Sequence, residues 1–172
     1  MVGAEPVDLD LSRLTKASEV FASRLFQRLP ELRARARMVA YPGSDGFDLL
    51  VEIPSPSGDT KRQVVAWMED RVEPSVGFGE WHTHASVQCS SEDPTLAADS
   101  IVDLIHAILA DEVVLIYDVG GTHDGNWGLV DLREEDALLE ELTGRSSPGR
   151  VRIWTWSGRD DREVGLGDVT VD

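Results

Sequence analysis

The segment 79–84 carries the residues of this chain best suited to chemistry, because Glu80, His82 and His84 occupy alternate positions. Side chains two residues apart in a β-strand share a face, so a strand over residues 76–85 would place all three together. Two imidazoles and a carboxylate can ligate zinc, which lowers the pKa of a bound water and supplies a nucleophile at neutral pH. The same row also fits the half-buried end of a structural strand, with Trp81 in the core behind it.

A second group of residues follows these histidines. His82-Thr83-His84, then Ser90-Ser91-Glu92-Asp93, resembles the zinc site of JAMM (MPN+) metalloproteases, in which His-Ser/Thr-His-Pro precedes a Ser-x-x-Asp at a helix start. The resemblance implies zinc ligands and two catalytic groups: His82, His84 and Asp93 as ligands, Ser90 at an oxyanion and Glu52 as the upstream general base. Ala85 replaces the family proline, and Asp93 follows the histidines at a shorter spacing than in that family.

A broader resemblance concerns the character of the whole chain. The Gly-Glu-Trp-His-x-His core, the late Val151-Arg152-Ile153-Trp154 strand and the acidic composition are similar to small bacterial proteins of unassigned function. Some proteins of that kind are immunity partners of toxins and present acid-rich faces to basic enzymes. The resemblance implies binding through surface complementarity, without catalysis.

The net charge of the chain indicates which classes of partner it can attract. The sequence has 16 Lys+Arg against 32 Asp+Glu, a net charge of −16. Such a field repels nucleic-acid phosphates and anionic lipid and attracts basic proteins, so we expect no nucleic acid and no membrane partner. Residues 12–37 carry a net of +5, and residues 90–143 a net of −13. The acidic half is either a solvated surface or a dedicated binding face.

The compartment is inferred from cysteine usage and from the N-terminus. Cys89 is the only cysteine, so an internal disulfide is impossible, and a reducing compartment is favoured. No apolar run approaches the ~20 residues that span a bilayer. Glu5, Asp8 and Asp10 stand where a signal peptide would be basic. We therefore expect a cytoplasmic protein, with the roles of Cys89 and His123 left open.

Hydrophobic periodicity predicts one α+β domain over residues 1–172. Its predicted strands fall at residues 33–41, 47–53, 63–68, 76–85, 113–119, 127–132 and 151–156. Its predicted helices cover residues 11–29, 94–110 and 134–142, and residues 120–126 read as a hairpin loop. We expect a mostly antiparallel sheet of about six or seven strands, with the N-terminal helix and the 94–110 helix packed on it.

Two functions from different classes follow. The first is an acidic soluble binding protein without a cofactor, of the kind that inhibits a basic protein partner as immunity proteins do. The alternative is a metal-dependent, JAMM-like hydrolase that uses zinc at the Glu-x-His-x-His strand site. A stoichiometric divalent metal in the purified protein would separate them.

Overall fold

The computed structural model describes residues 9–40, 46–69, 72–89, 92–119, 127–144 and 149–166. Those residues form an α+β fold with nine strands, which lie in two antiparallel sheets of five and four strands. The α+β class and the antiparallel pairing are confirmed, but the expected single sheet is two sheets. The chain divides into two compact units, Met1–Pro54 with Gln63–His106, and Ser55–Arg62 with Ala107–Asp172. The expectation of one domain stays a prediction.

The first unit contains a five-stranded meander in which sequence neighbours pair. Its strands are β1 (Ala36–Ala40), β2 (Phe47–Ile53), β3 (Val64–Glu69), β4 (Glu73–Phe78) and β5 (Trp81–His84), in the order β1-β2-β3-β4-β5. Alternation sets the core face, since Val64, Ala66 and Met68 of β3 are buried and the residues between them are half-buried. Strand β1 begins later than predicted because Pro30 opens a 3-10 helix, Pro30–Arg35.

The predicted strand over residues 76–85 is wrong, because it is two strands joined by a tight turn. Strand β4 ends at Phe78 and β5 begins at Trp81. Gly79 has a φ of 63°, a left-handed conformation that glycine adopts without steric cost. The turn reverses the chain direction, so β4 and β5 pair antiparallel as a hairpin.

Three helices belong wholly or partly to the first unit: α1 (Lys16–Arg28), α2 (Ala85–Gln88) and α3 (Pro94–Leu109). Thr15 caps α1, and Asp10 caps the separate 3-10 turn Leu11–Arg13, so the predicted helix from residue 11 starts later. Helix α1 packs on β2 and β4 and buries Phe21 and Leu25 completely. The predicted N-cap of α3 is confirmed, since the Asp93 carboxylate accepts the Thr95 N–H at 2.8 Å. No helix among the described residues is long and apolar enough to cross a membrane.

The second unit contains β6 (Val113–Val119), β7 (Trp127–Asp131), β8 (Arg150–Trp154), β9 (Arg162–Gly165) and α4 (Ala137–Gly144). The sheet order is β7-β6-β8-β9, which makes β6 an internal strand as its apolar sequence predicts. One cluster of its core contains six buried residues: Val114, Ile116, Val130, Leu142, Val151 and Ile153. Strand β9 was not predicted, because it has only four residues, of which two are charged and exposed and two are half-buried. The loop 120–126, with His123, lies outside the described residues.

Candidate functional site

The two histidines of the predicted row lie together on β5, but on the opposite face from the one expected. Across the hairpin, Ser75 pairs with His84, and Gly77 pairs with His82. Directly opposite residues of an antiparallel pair share a face, so the imidazoles lie on the side of Ser75 and Gly77. Val76 pairs with Thr83 on the buried face, and Trp81 is half-buried where a core residue was expected.

The two imidazoles form a compact pair with a tryptophan beside it. The ring centroids of His82 and His84 are 5.3 Å apart with the planes at 77°, an edge-to-face arrangement. The Trp67 ring lies 6.2 Å from that of His82. Gly77 makes room for this indole, because a Cβ there would come within 3.2 Å of the Trp67 ring. The indole N–H donates to a Glu69 carboxylate oxygen at 2.6 Å, which fixes the orientation of the ring.

A hydrogen bond also occupies one nitrogen of His84. The Ser75 hydroxyl lies 3.0 Å from His84 Nδ1, and Ser75 is completely buried. A buried hydroxyl of this kind positions the ring and is itself satisfied by it. Nε2 of His84 and both nitrogens of the exposed His82 remain the groups of this pair that can meet a ligand.

The other residues of the predicted metal site lie elsewhere. Glu80 is in the β4–β5 turn and off the strand row. Glu52 lies on β2, three strands from β5 or about 14 Å at the usual strand spacing, and pairs with Arg37 at 3.0 Å. Asp93 caps α3, and Ser90 falls outside the described residues. Within the described ranges, no three His, Cys, Asp or Glu side chains are grouped to hold one metal ion.

The acidic residues of α3 are neutralised by the basic segment of α1. Arg24 donates to both carboxylate oxygens of Asp99, each at 2.6 Å, and Arg28 pairs with Asp103. The Arg24 hydrogen bonds lower the pKa of the Asp99 carboxyl from its ordinary value despite the opposing effect of burial. The excess charges of residues 12–37 and 90–143 therefore cancel in part within the first unit, so these carboxylates are not an open acidic patch.

A different group of carboxylates has no cationic partner among the described residues. It lies in what we call the acidic segment, residues 132–140 of the second unit. Arg133, the basic residue within it, is held by Asp131 of β7. The segment's four carboxylates, on exposed residues, form no ion pair with any described residue: Glu134, Glu135, Asp136 and Glu140. Backbone hydrogen bonds from Leu132 to Glu112 at 2.8 Å and from Glu140 to Asp136 at 2.9 Å hold the segment in place. Backbone hydrogen bonds therefore hold the segment that carries these four carboxylates.

The tryptophans are not the most exposed apolar residues of the described chain, so they are not its best candidates to anchor a partner. All five tryptophans are half-buried: Trp67, Trp81, Trp127, Trp154 and Trp156. The large apolar side chains that are exposed among the described residues are Val72, Val87, Leu96 and Leu132. Leu132 is 41% exposed and begins the acidic segment, so one apolar side chain lies next to the unpaired carboxylates in sequence. Hydropathy patterns could not have marked it, because Leu132 follows directly on a strand.

The comparisons with known proteins add no family to this picture. The chain has no significant match among protein-family models, curated proteins or solved structures. The resemblances to JAMM metalloproteases and to immunity-type proteins therefore rest on the residues quoted for them.

Proposed function

We propose that this chain is a non-catalytic binding protein for a basic protein partner, and that the acidic segment is part of its contact surface. The observation that supports the proposal is a group of four exposed carboxylates within seven positions that pair with no described cation, on a backbone held by hydrogen bonds. Inhibition of a basic enzyme, in the manner of an immunity protein, is the form of binding that we favour. The single free thiol of Cys89 is compatible with action in the cytoplasm.

The negative charge of the chain and of its acidic segment should raise the rate of association with a basic partner. A net charge of −16 attracts a cationic protein over several ångströms, and a concentrated group of unpaired carboxylates orients the encounter. Charge alone gives little affinity, because exposed ion pairs contribute only about 0–1 kcal/mol each. Burial of Leu132 at the contact would add the apolar part of the binding free energy.

The hydrolase alternative has less support from the geometry. Of its predicted residues, His82 and His84 are adjacent, whereas Glu52 is about three strands away and Glu80 is in the turn. A catalytic zinc site requires three protein ligands and an open position. The pair alone falls short of that set, so we do not propose hydrolysis.

The proposal is tested by neutralising the acidic segment. The variant E134Q/E135Q/D136N/E140Q removes four charges and leaves the side-chain shapes nearly unchanged, and asparagine tolerates the φ of 65° at position 136. We expect it to capture much less of the basic protein that the wild-type chain retains from an extract of its source cells. Its association rate with that protein should fall about tenfold or more at low salt.

The matched control removes the same charge elsewhere. E31Q/E80Q/E92Q/D160N neutralises four exposed carboxylates that form no ion pair with a described residue. The proposal requires this control to bind nearly as well as the wild type. If both variants lose binding equally, the acidic segment contributes only through the net charge of the chain. If both bind as well as the wild type, the acidic segment is not part of the contact surface.

A further inference from the structure

The second unit contains a cleft of about 460 Å³, between the 3-10 helix Thr60–Arg62 and strands β8 and β9. This volume lies within the ~300–1,000 Å³ that is usual for small-molecule sites. Four of the residues that line the cleft are cationic: Lys61, Arg62, Arg152 and Arg162. Such a concentration of positive charge is unexpected in a chain with twice as many acidic as basic residues.

The ion pairs and hydrogen bonds of Arg62 stabilise the cleft itself. Its side chain is only 12% exposed, pairs with Asp161, and donates to Asp59 at 3.1 Å and to the Thr155 carbonyl at 3.0 Å. Hydrogen bonding to Asp161 raises the pKa of Arg62, although burial opposes this. Its guanidinium lies 5.1 Å from the centre of the Trp154 ring, a cation–π contact. Arg62 therefore holds two of the three carboxylates that line the cleft and supports the indole wall.

The other cations keep donor capacity for a ligand. Lys61 and Arg162 form no ion pair with a described residue, and Arg162 makes only a 3.4 Å contact to the Asp160 carbonyl. Glu163, the third carboxylate, is shared between Arg150 at 2.8 Å and Arg152 at 3.3 Å. Of the described residues that line the cleft, four are cationic and three are acidic, which leaves a net charge of +1.

We propose that this cleft binds a small organic phosphate, with Lys61 and Arg162 contacting the phosphate and Trp154 contacting the organic part. Ammonium and guanidinium groups are the usual donors to phosphate oxygens, and the charges of Lys61 and Arg162, which pair with no described carboxylate, favour an anionic ligand. The volume and the indole wall fit a ligand larger than inorganic phosphate. The inference does not depend on the proposed function, because the acidic segment does not line the cleft.

The test is calorimetric titration of the full chain with phenyl phosphate, at constant ionic strength and neutral pH. We expect saturable one-site binding that is several-fold tighter than that of inorganic phosphate. K61Q/R162Q removes the two lining cations that form no ion pair with a described residue and should weaken binding about tenfold or more. The control R35Q/R159Q removes two exposed cations that do not line the cleft and should leave the affinity unchanged.

Three results would overturn the proposal. The first is no saturable binding of phenyl phosphate by the wild type. The second is an equal affinity for inorganic phosphate, which would leave the indole wall without a role in binding. The third is an equal effect of the two variants, which would reduce the binding to nonspecific attraction. Thermal unfolding of both variants serves as the check that neither loses its fold.

Discussion

At the scale of single residues, the hydrogen bond between Ser75 and His84 explains why a histidine occupies this position of β5. The hydroxyl is completely buried, and the imidazole nitrogen at 3.0 Å satisfies it. His84→Phe keeps a ring over the serine and removes the nitrogen. We expect the free energy of unfolding to fall by about 1–3 kcal/mol, because the hydroxyl stays buried without a partner.

The control for that measurement is the double variant S75A/H84F. Removing both polar groups should recover part of the lost stability in chemical denaturation, since no unsatisfied group remains. If H84F is as stable as the wild type, or the double variant is no better than H84F, the hydrogen bond has no structural role.

The residues around this pair also mark the limit of prediction from sequence. The alternation of His82 and His84 correctly placed both rings on one face. Residues 76–85 contain no Asn-Gly or Asp-Gly pair. Gly79-Glu80 can form a two-residue turn with glycine first, but the unbroken alternation of residues 76–84 favoured one continuous strand. The register that pairs Gly77 with His82 depends on that turn, and so does the separation of Glu80 from the histidines.

At the scale of elements, the ion pair between Arg24 and Asp99 links α1 to α3. The hydrogen bonds of Arg24 lower the pKa of Asp99 below its ordinary value of 3.8 in the folded state. A carboxyl with a lowered folded-state pKa stabilises the fold fully above about pH 4, and this stabilisation is lost as the pH falls toward the folded-state pKa. The link between the helices should therefore weaken in acid.

The variant Asp99→Asn isolates this effect. We expect it to lower the free energy of unfolding at pH 7 by about 1 kcal/mol, as for a partly exposed pair. Its stability should also fall less than that of the wild type between pH 5 and pH 3, measured by urea unfolding. Parallel pH profiles for the two proteins would contradict the assignment. The control is Glu31→Gln, which removes an exposed carboxylate that forms no ion pair with a described residue.

Elements were predictable where their patterns were long and periodic. Helix α3 and strand β6 were predicted nearly to their ends, because their apolar residues recur over many positions. Strand β9 has only four residues, two exposed and two half-buried, so its sequence has no clear strand pattern. Its pairing with β8 holds it in the sheet. The number of sheets was not predictable either, since antiparallel strands alternate in the same way in one sheet or in two.

At the scale of the whole molecule, the distribution of charge matters more than its sum. Counting residues 90–143 gave a net of −13 and made the whole acidic half a candidate binding face. The structure pairs Asp99 and Asp103 with arginines 75 positions away in the chain, which no count along the sequence could show. What remains unpaired among the described carboxylates of that half includes the acidic segment, and this changes where a basic partner is expected to bind.

The most direct test of the central claim is the dependence of the association rate on ionic strength for the complex with the captured basic protein. Stopped-flow measurements should show a steep fall in rate with added salt for the wild-type chain, because the Debye length shrinks from about 30 Å at 0.01 M to about 8 Å at 0.15 M. E134Q/E135Q/D136N/E140Q should associate more slowly at low salt and show a shallower dependence, and E31Q/E80Q/E92Q/D160N should stay close to the wild type. A wild-type rate that does not change with salt, or identical slopes for all three proteins, would contradict the account.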